Sequence, residues 1–147
     1  MDSIQSGFDK INRLMTEIDT LHRHALVSVD VEEASHFSKK IEASSTLAAS
    51  EAQNIRRLLK SIDQDTKSKA NSWSPSDLRL RTAKHSLWCK KFMGQMEQFE
   101  KMQTTYRNKY RTHLERQYLL VKPDATRAEL DELGSDYSNQ QVKDYEG

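Results

Sequence analysis

Only four glycines and two prolines occur among 147 residues, about a third of what average usage would supply. The turn punctuation of a many-stranded sandwich, a barrel or a collagen repeat is missing, which excludes all-β folds. Cysteine is limited to Cys89, so an internal disulfide and a cysteine-based zinc site are excluded, and no Asn-X-Ser/Thr sequon occurs. A reducing, cytosolic setting fits that usage. Long apolar runs are absent as well: no stretch of about 18 uncharged apolar residues exists, and the first residues lack the basic-then-apolar order of a signal peptide. The sequence thus predicts a soluble chain that neither spans a membrane nor enters the secretory route by itself. What is plentiful is charge, 31% of residues against 35% hydrophobic, with a mean hydropathy of −0.87. That balance is poor for an α/β core and suits long helices with one buried stripe each, in a chain about one domain long.

The net charge of +1 hides an uneven distribution. Residues 76–122 carry eleven Lys/Arg against four acids, whereas residues 123–147 carry seven acids against two bases. An acidic partner for the basic stretch is one reading, and a solvated helix face is the plainer one.

From Phe8 to Ser74 there is neither Gly nor Pro, so helix ends must be read from capping chemistry. The series Ile4, Phe8, Ile11, Met15, Ile18, His22, Ala25 and Val29 places one stripe on a first helix over about 3–28. At Asp30 a capping box with Glu33 and a staple of Val29 on Ala34 predict a second helix over 31–66. Its stripe is Ala34, Phe37, Ile41, Ser44, Ala48, Ala52, Ile55, Leu58 or Leu59, and Ile62, with small residues in the middle that allow close approach of a neighbour. Ser74-Pro75-Ser76-Asp77 supplies an N-cap, a first-turn proline and an acid for a third helix over 75–120. That helix would be roughly 65 Å long at about 1.5 Å per residue. Its stripe, Arg81, His85, Trp88, Phe92, Met96, Phe99, Gln103, Tyr106, Tyr110, His113 and Gln117, includes polar members that either set register or overhang into solvent. Pro123 ends it, Thr126 and Glu129 repeat the capping box for a short helix over about 127–133, Gly134 stops that helix, and a polar, mobile tail follows from Ser135. The prediction is an all-α fold: an up-down-up antiparallel three-helix bundle with left-handed twist over 1–121, then a linker over 122–147.

No catalytic constellation is present, and no cofactor or metal is predicted. His22 and His24, two apart, point to different sides of a helix; His36, His85 and His113 are solitary, and the glycines form no phosphate loop. Cys89 reads as a packed, inert thiol. Trp88, Tyr106 and Tyr110 fall on the buried stripe and not among the exposed cations, which argues against nucleic acid.

Several separated motifs then coincide. Ser76-Asp77-Leu78-Arg79-Leu80-Arg81, His85-Ser86, Lys91-Phe92 and Tyr106-Arg107 resemble the third helix of the syntaxin N-terminal Habc domain. Ile18-Asp19-Thr20-Leu21-His22, Glu32-Glu33-Ala34-Ser35-His36, Arg116-Gln117-Tyr118, Lys122-Pro123-Asp124-Ala125-Thr126 and Glu129 are similar to the fungal plasma-membrane syntaxins. The resemblance spans about residues 8–133. It implies the autoinhibitory regulatory part of a SNARE in vesicle fusion and exocytosis, folding back on its own SNARE motif and binding an SM-family (Sec/Munc) protein. Other SNAREs would be met through the missing SNARE motif, and the cytoplasmic face of the plasma membrane through a missing C-terminal transmembrane anchor. The short N-terminal SM-binding peptide of many syntaxins is not seen. The implied groove between the second and third helices would use Ile41, Ala48, Ile55, Arg79, Arg81, His85, Phe92 and Tyr106. Leu130 and Asp131 align with the family's Leu-Glu pair whose mutation opens the molecule. A spectrin-like repeat and a membrane-surface-binding helical module remain as alternatives.

Overall fold

The computed structural model describes residues 2–135, and among these helix is the regular secondary structure throughout. Helix α1 spans Asp2–Val27, α2 Val31–Ser68 and α3 Pro75–Val121, with a single 3-10 turn at Ala70–Ser72 before α3. A further helix, α4, covers residues 127–135. The chain forms two compact units, residues 1–100 and the residues from 101 onward; α3 runs through both.

In the first unit the predicted stripes turn inward. Ile4, Phe8, Ile11, Ala52, Ile55, Leu59 and Phe92 form one buried cluster, with Met15, Leu58, Ile62, Trp88, Cys89 and Met96 packed against it. Alternating three- and four-residue spacing puts these side chains on one face of each helix, and burying that face is the main favourable term in the fold. Helices α1 and α2 are antiparallel: Gly7 lies against Ile55 near one end, and His24 stacks on Phe37 near the other, 5.7 Å between ring centres. Close approach requires the glycine, because a Cβ on Gly7 would stand 2.9 Å from Ile55 Cγ1. Within this unit α3 runs parallel to α1, since Lys91 Nζ donates to Gln5 Oε1 at 3.2 Å and Gln95 Nε2 donates to the Phe8 carbonyl at 2.9 Å.

The helix starts follow capping chemistry, with two corrections. Ser74 Oγ accepts the Asp77 N–H at 3.1 Å and Thr126 Oγ1 accepts the Glu129 N–H at 3.2 Å. Asp30 does cap α2, but it accepts from Glu32 N–H at 3.1 Å, one residue short of the predicted Glu33. The Val29 staple does not form: Val29 is 99% exposed, because an alanine at position 34 offers too little apolar surface to hold it. Near the end of α3, His113 and Gln117 are exposed while Leu114 and Tyr118 are half-buried. An α-helix drifts about 20° per heptad from a strict seven-residue repeat, so after five heptads the inward face has moved on by one residue.

In the second unit α4 continues through Gly134, where the sequence predicts its stop. A Cβ there would collide with the Arg111 guanidinium, so the glycine serves close approach to α3. The polar tail expected from Ser135 lies, past residue 135, outside the described residues.

Candidate functional site: a groove between α2 and α3

Residue size opens the groove. Along α2, Ala48, Ala49 and Ala52 occupy positions where a packed helix pair would carry larger side chains. Together with Gln53 and Arg56, with Ile11 of α1, and with Met96 and Phe99 of α3, they line a cavity of about 200 Å³. Its walls are apolar apart from the rim, where Gln53 and Arg56 are exposed. The Arg56 guanidinium carbon sits 5.6 Å from the centre of the Phe92 ring, a cation–π distance. Phe92 thereby has one side in the core and the other under a positive charge.

The residues expected in the groove separate into three groups. Ala48 lines the cavity. Ile41, Ile55 and Phe92 are buried, Ile55 completely, so in the first unit these side chains hold the helices together; Tyr106 is buried as well, but within the second unit. Two of the three polar members, Arg81 and His85, tie α3 to α2. Arg81 donates from Nε to Thr66 Oγ1 and from its terminal nitrogen to Asp65, both at 3.3 Å, and lies 4.3 Å over the Trp73 ring. His85 Nε2 is 3.0 Å from the Leu59 carbonyl, which makes that nitrogen the donor and leaves Nδ1 as an acceptor beside Cys89 Sγ at 3.8 Å. Burial, and secondarily the Asp63 carboxylate, pushes the Cys89 thiol upward, away from thiolate chemistry. Arg79 is exposed and bonds within its own first turn, Nε to the Pro75 carbonyl at 3.3 Å.

Two residues were not singled out as functional from the sequence. Gln95 is 7% exposed and donates to both the Phe8 carbonyl and Asn12 Oδ1 at 2.9 Å, pinning α3 against α1 while its own Oε1 finds no partner among the described residues. A glutamine at one stripe edge gives no sequence signal for this. Arg56 carries only a weak signal, a cation four positions past Ala52 and so on the same helix face.

The second unit holds the linker pair. Leu130 is buried at 8% exposure. Asp131 faces two cations, Arg127 at 3.2 Å and Arg111 of α3 at 3.7 Å. Lys122 Nζ donates to Glu129 at 2.8 Å, a bond that holds its ammonium above the usual lysine range. Among the described residues no group of His, Cys, Asp and Glu is arranged to hold a metal ion, and no helix is long and apolar enough to cross a membrane.

The fold has solved counterparts. A chain in the crystal structure of the Unc18-syntaxin 1 complex from Monosiga brevicollis superposes with a TM-score of 0.80 at 21% identity, covering 97% of this chain and 69% of that one. Protein SSO1 of Saccharomyces cerevisiae is 21% identical over 142 residues, 97% of this chain and 46% of the yeast protein. The chain therefore spans about half the length of that curated relative. The family described as Syntaxin matches residues 1–144, and on that match the chain belongs to the syntaxin family, a family of non-enzymatic SNARE proteins of membrane trafficking.

Proposed function

We propose that this chain is the autoinhibitory N-terminal Habc region of a plasma-membrane syntaxin, and that the groove between α2 and α3 receives the SNARE helix of the same protein. The observation that carries this reading is the apolar cavity at Ala48, Ala49, Ala52, Met96 and Phe99, an unfilled position on the bundle where a fourth amphipathic helix would bury its stripe. While the SNARE helix lies there it is withheld from other SNAREs, and fusion is delayed until it leaves. Leu130 and Asp131 support the same state by folding the linker onto α3. An SM-family protein is the proposed regulator, because the structural relative is a syntaxin in complex with Unc18. The proposed location is the cytoplasmic face of the plasma membrane, with anchoring supplied by a C-terminal segment beyond these residues.

The experiment is a titration of the isotope-labelled chain with the SNARE segment of its parent protein. Resonances of Ala49, Gln53, Arg56, Met96 and Phe99 are expected to shift together, while the exposed face of α1 at Thr16 and Thr20 stays unmoved. Shifts confined to α1 would overturn the reading.

A further inference from the structure

We propose that the cavity between α2 and α3 is a receptor for one bulky apolar side chain, phenyl or indole in class, carried beside a carboxylate on the helix that docks there. The proposal rests on the groove reading above and specifies what the incoming helix must present.

Size comes first. The cavity measures about 200 Å³, and an apolar cavity of about 150 Å³ in a protein interior is large enough to take up benzene. Three alanine methyls, the Ile11 side chain, Met96 and Phe99 supply its surface, so nothing inside answers a polar group, and a buried hydroxyl or amide would be left unpaired. An aromatic ring gains most from such walls, since it meets Phe99 and the polarisable Met96 sulfur as well as the methyls.

Charge decides what accompanies the ring. Arg56 stands at the rim, held over Phe92, and among the described residues no carboxylate pairs with it. The face of a neutral ring orients the guanidinium without cancelling its charge. A carboxylate arriving next to the inserted ring meets a planar guanidinium fork whose geometry matches its two oxygens. The neighbouring Gln53 amide adds a donor to the same rim.

The test uses the full 147-residue chain with methyl-labelled Ala and Met, and 3-indolepropionate as probe, against 3-indolepropionamide, which keeps the ring and lacks the charge. Saturable shifts at Ala48, Ala49, Ala52 and Met96 are expected, with the carboxylate binding about threefold more tightly than the amide, the size of an exposed ion pair. Arg56→Gln is expected to equalise the two probes, and Ala49→Phe, which plugs the cavity from its exposed rim, to abolish both. Should Ala49→Phe lose its helical circular dichroism, Gln53→Trp makes the same test one turn along. Methyls that stay unmoved in the wild-type chain, equal binding of acid and amide, or undiminished binding in a folded plugged variant would each overturn the proposal. If the SNARE segment docks along the groove and the probe does not bind, the cavity proposal fails and the groove reading stands. If the probe binds and the segment does not, the groove reading fails and takes the helical carrier with it.

Discussion

His22 occupies a stripe position of α1 at 8% exposure, and burial lowers its pKa from 6.5 to about 4 against the opposing pull of Asp19. The imidazole is therefore neutral in the folded state at pH 7. In the unfolded chain it takes up a proton near pH 6.5, so between that pH and about 4 the unfolded state binds more protons and stability falls as pH falls. The loss attributable to this side chain is about 3 kcal/mol by pH 4, from a shift of roughly 2.5 units at about 1.4 kcal/mol each. Urea unfolding at pH 7 and pH 4 is expected to show that difference between wild type and His22→Leu, whose apolar side chain cannot titrate. Equal pH dependence of the two proteins would show that His22 titrates in the folded state as it does in the unfolded chain. Gln95 illustrates a different residue-scale choice. Its two donated bonds fix where α3 lies along α1, and its buried, unpartnered Oε1 is the energetic cost of that specificity.

At the scale of the helices, two glycines in similar settings have opposite consequences. Gly94 on α3 has open space where a Cβ would go, whereas a Cβ on Gly7 of α1 would press on Ile55 and on the Glu51 carboxylate. Gly→Ala in a helix gains about 1 kcal/mol of backbone propensity. Overpacking a core contact costs about 1–3 kcal/mol. Thermal and urea unfolding of Gly94→Ala should therefore show a gain of about 0.5–1 kcal/mol. Gly7→Ala should show a net loss of about 1 kcal/mol, because Ile55 is fully buried and cannot move aside. A stabilised Gly7→Ala would mean that α1 and α2 separate without penalty. The same steric logic explains why α4 runs through Gly134: any side chain there would displace Arg111 from its position beside Asp131 and Glu115.

For the whole molecule, the prediction concerns closure. Leu130 is buried and Asp131 is held between Arg127 and Arg111, so Leu130→Ala with Asp131→Ala removes both the apolar anchor and the Asp131 ion pairs of α4, leaving Lys122–Glu129 in place. In a chain extended through its SNARE motif, this double variant is expected to speed SNARE assembly, read by the rate of complex formation with partner SNAREs. The melting temperature of the 147-residue chain should change by no more than a few degrees, since the core cluster lies among residues 4–96. An assembly rate equal to wild type, where deletion of residues 1–122 accelerates it, would rule out a closing role for the linker.

Spacing and capping were enough to specify three long helices, their order and most of their inward faces. A stripe read at three and four residues names Phe8, Ile55 and Phe92 as core, because burial of one helical face is a local, periodic property. The helix starts at Ser74 and Thr126 were legible for the same reason, being contacts within one turn. The roles of Arg81 and His85 depended on partners fifteen or more residues away: both were predicted as register-setting or overhanging, and Asp65, Thr66 and the Leu59 carbonyl make them ties between α2 and α3. The cavity was the least legible feature, since it consists of volume that Ala48, Ala49 and Ala52 do not fill. Whether small residues let helices close up or leave a space between them is settled by what stands opposite. Across from Gly7 the helices closed, with Ile55 seated against the backbone; beside the alanines, Met96 and Phe99 hold α3 away. Only three-dimensional packing distinguishes those two outcomes, because both are written with the same small residues.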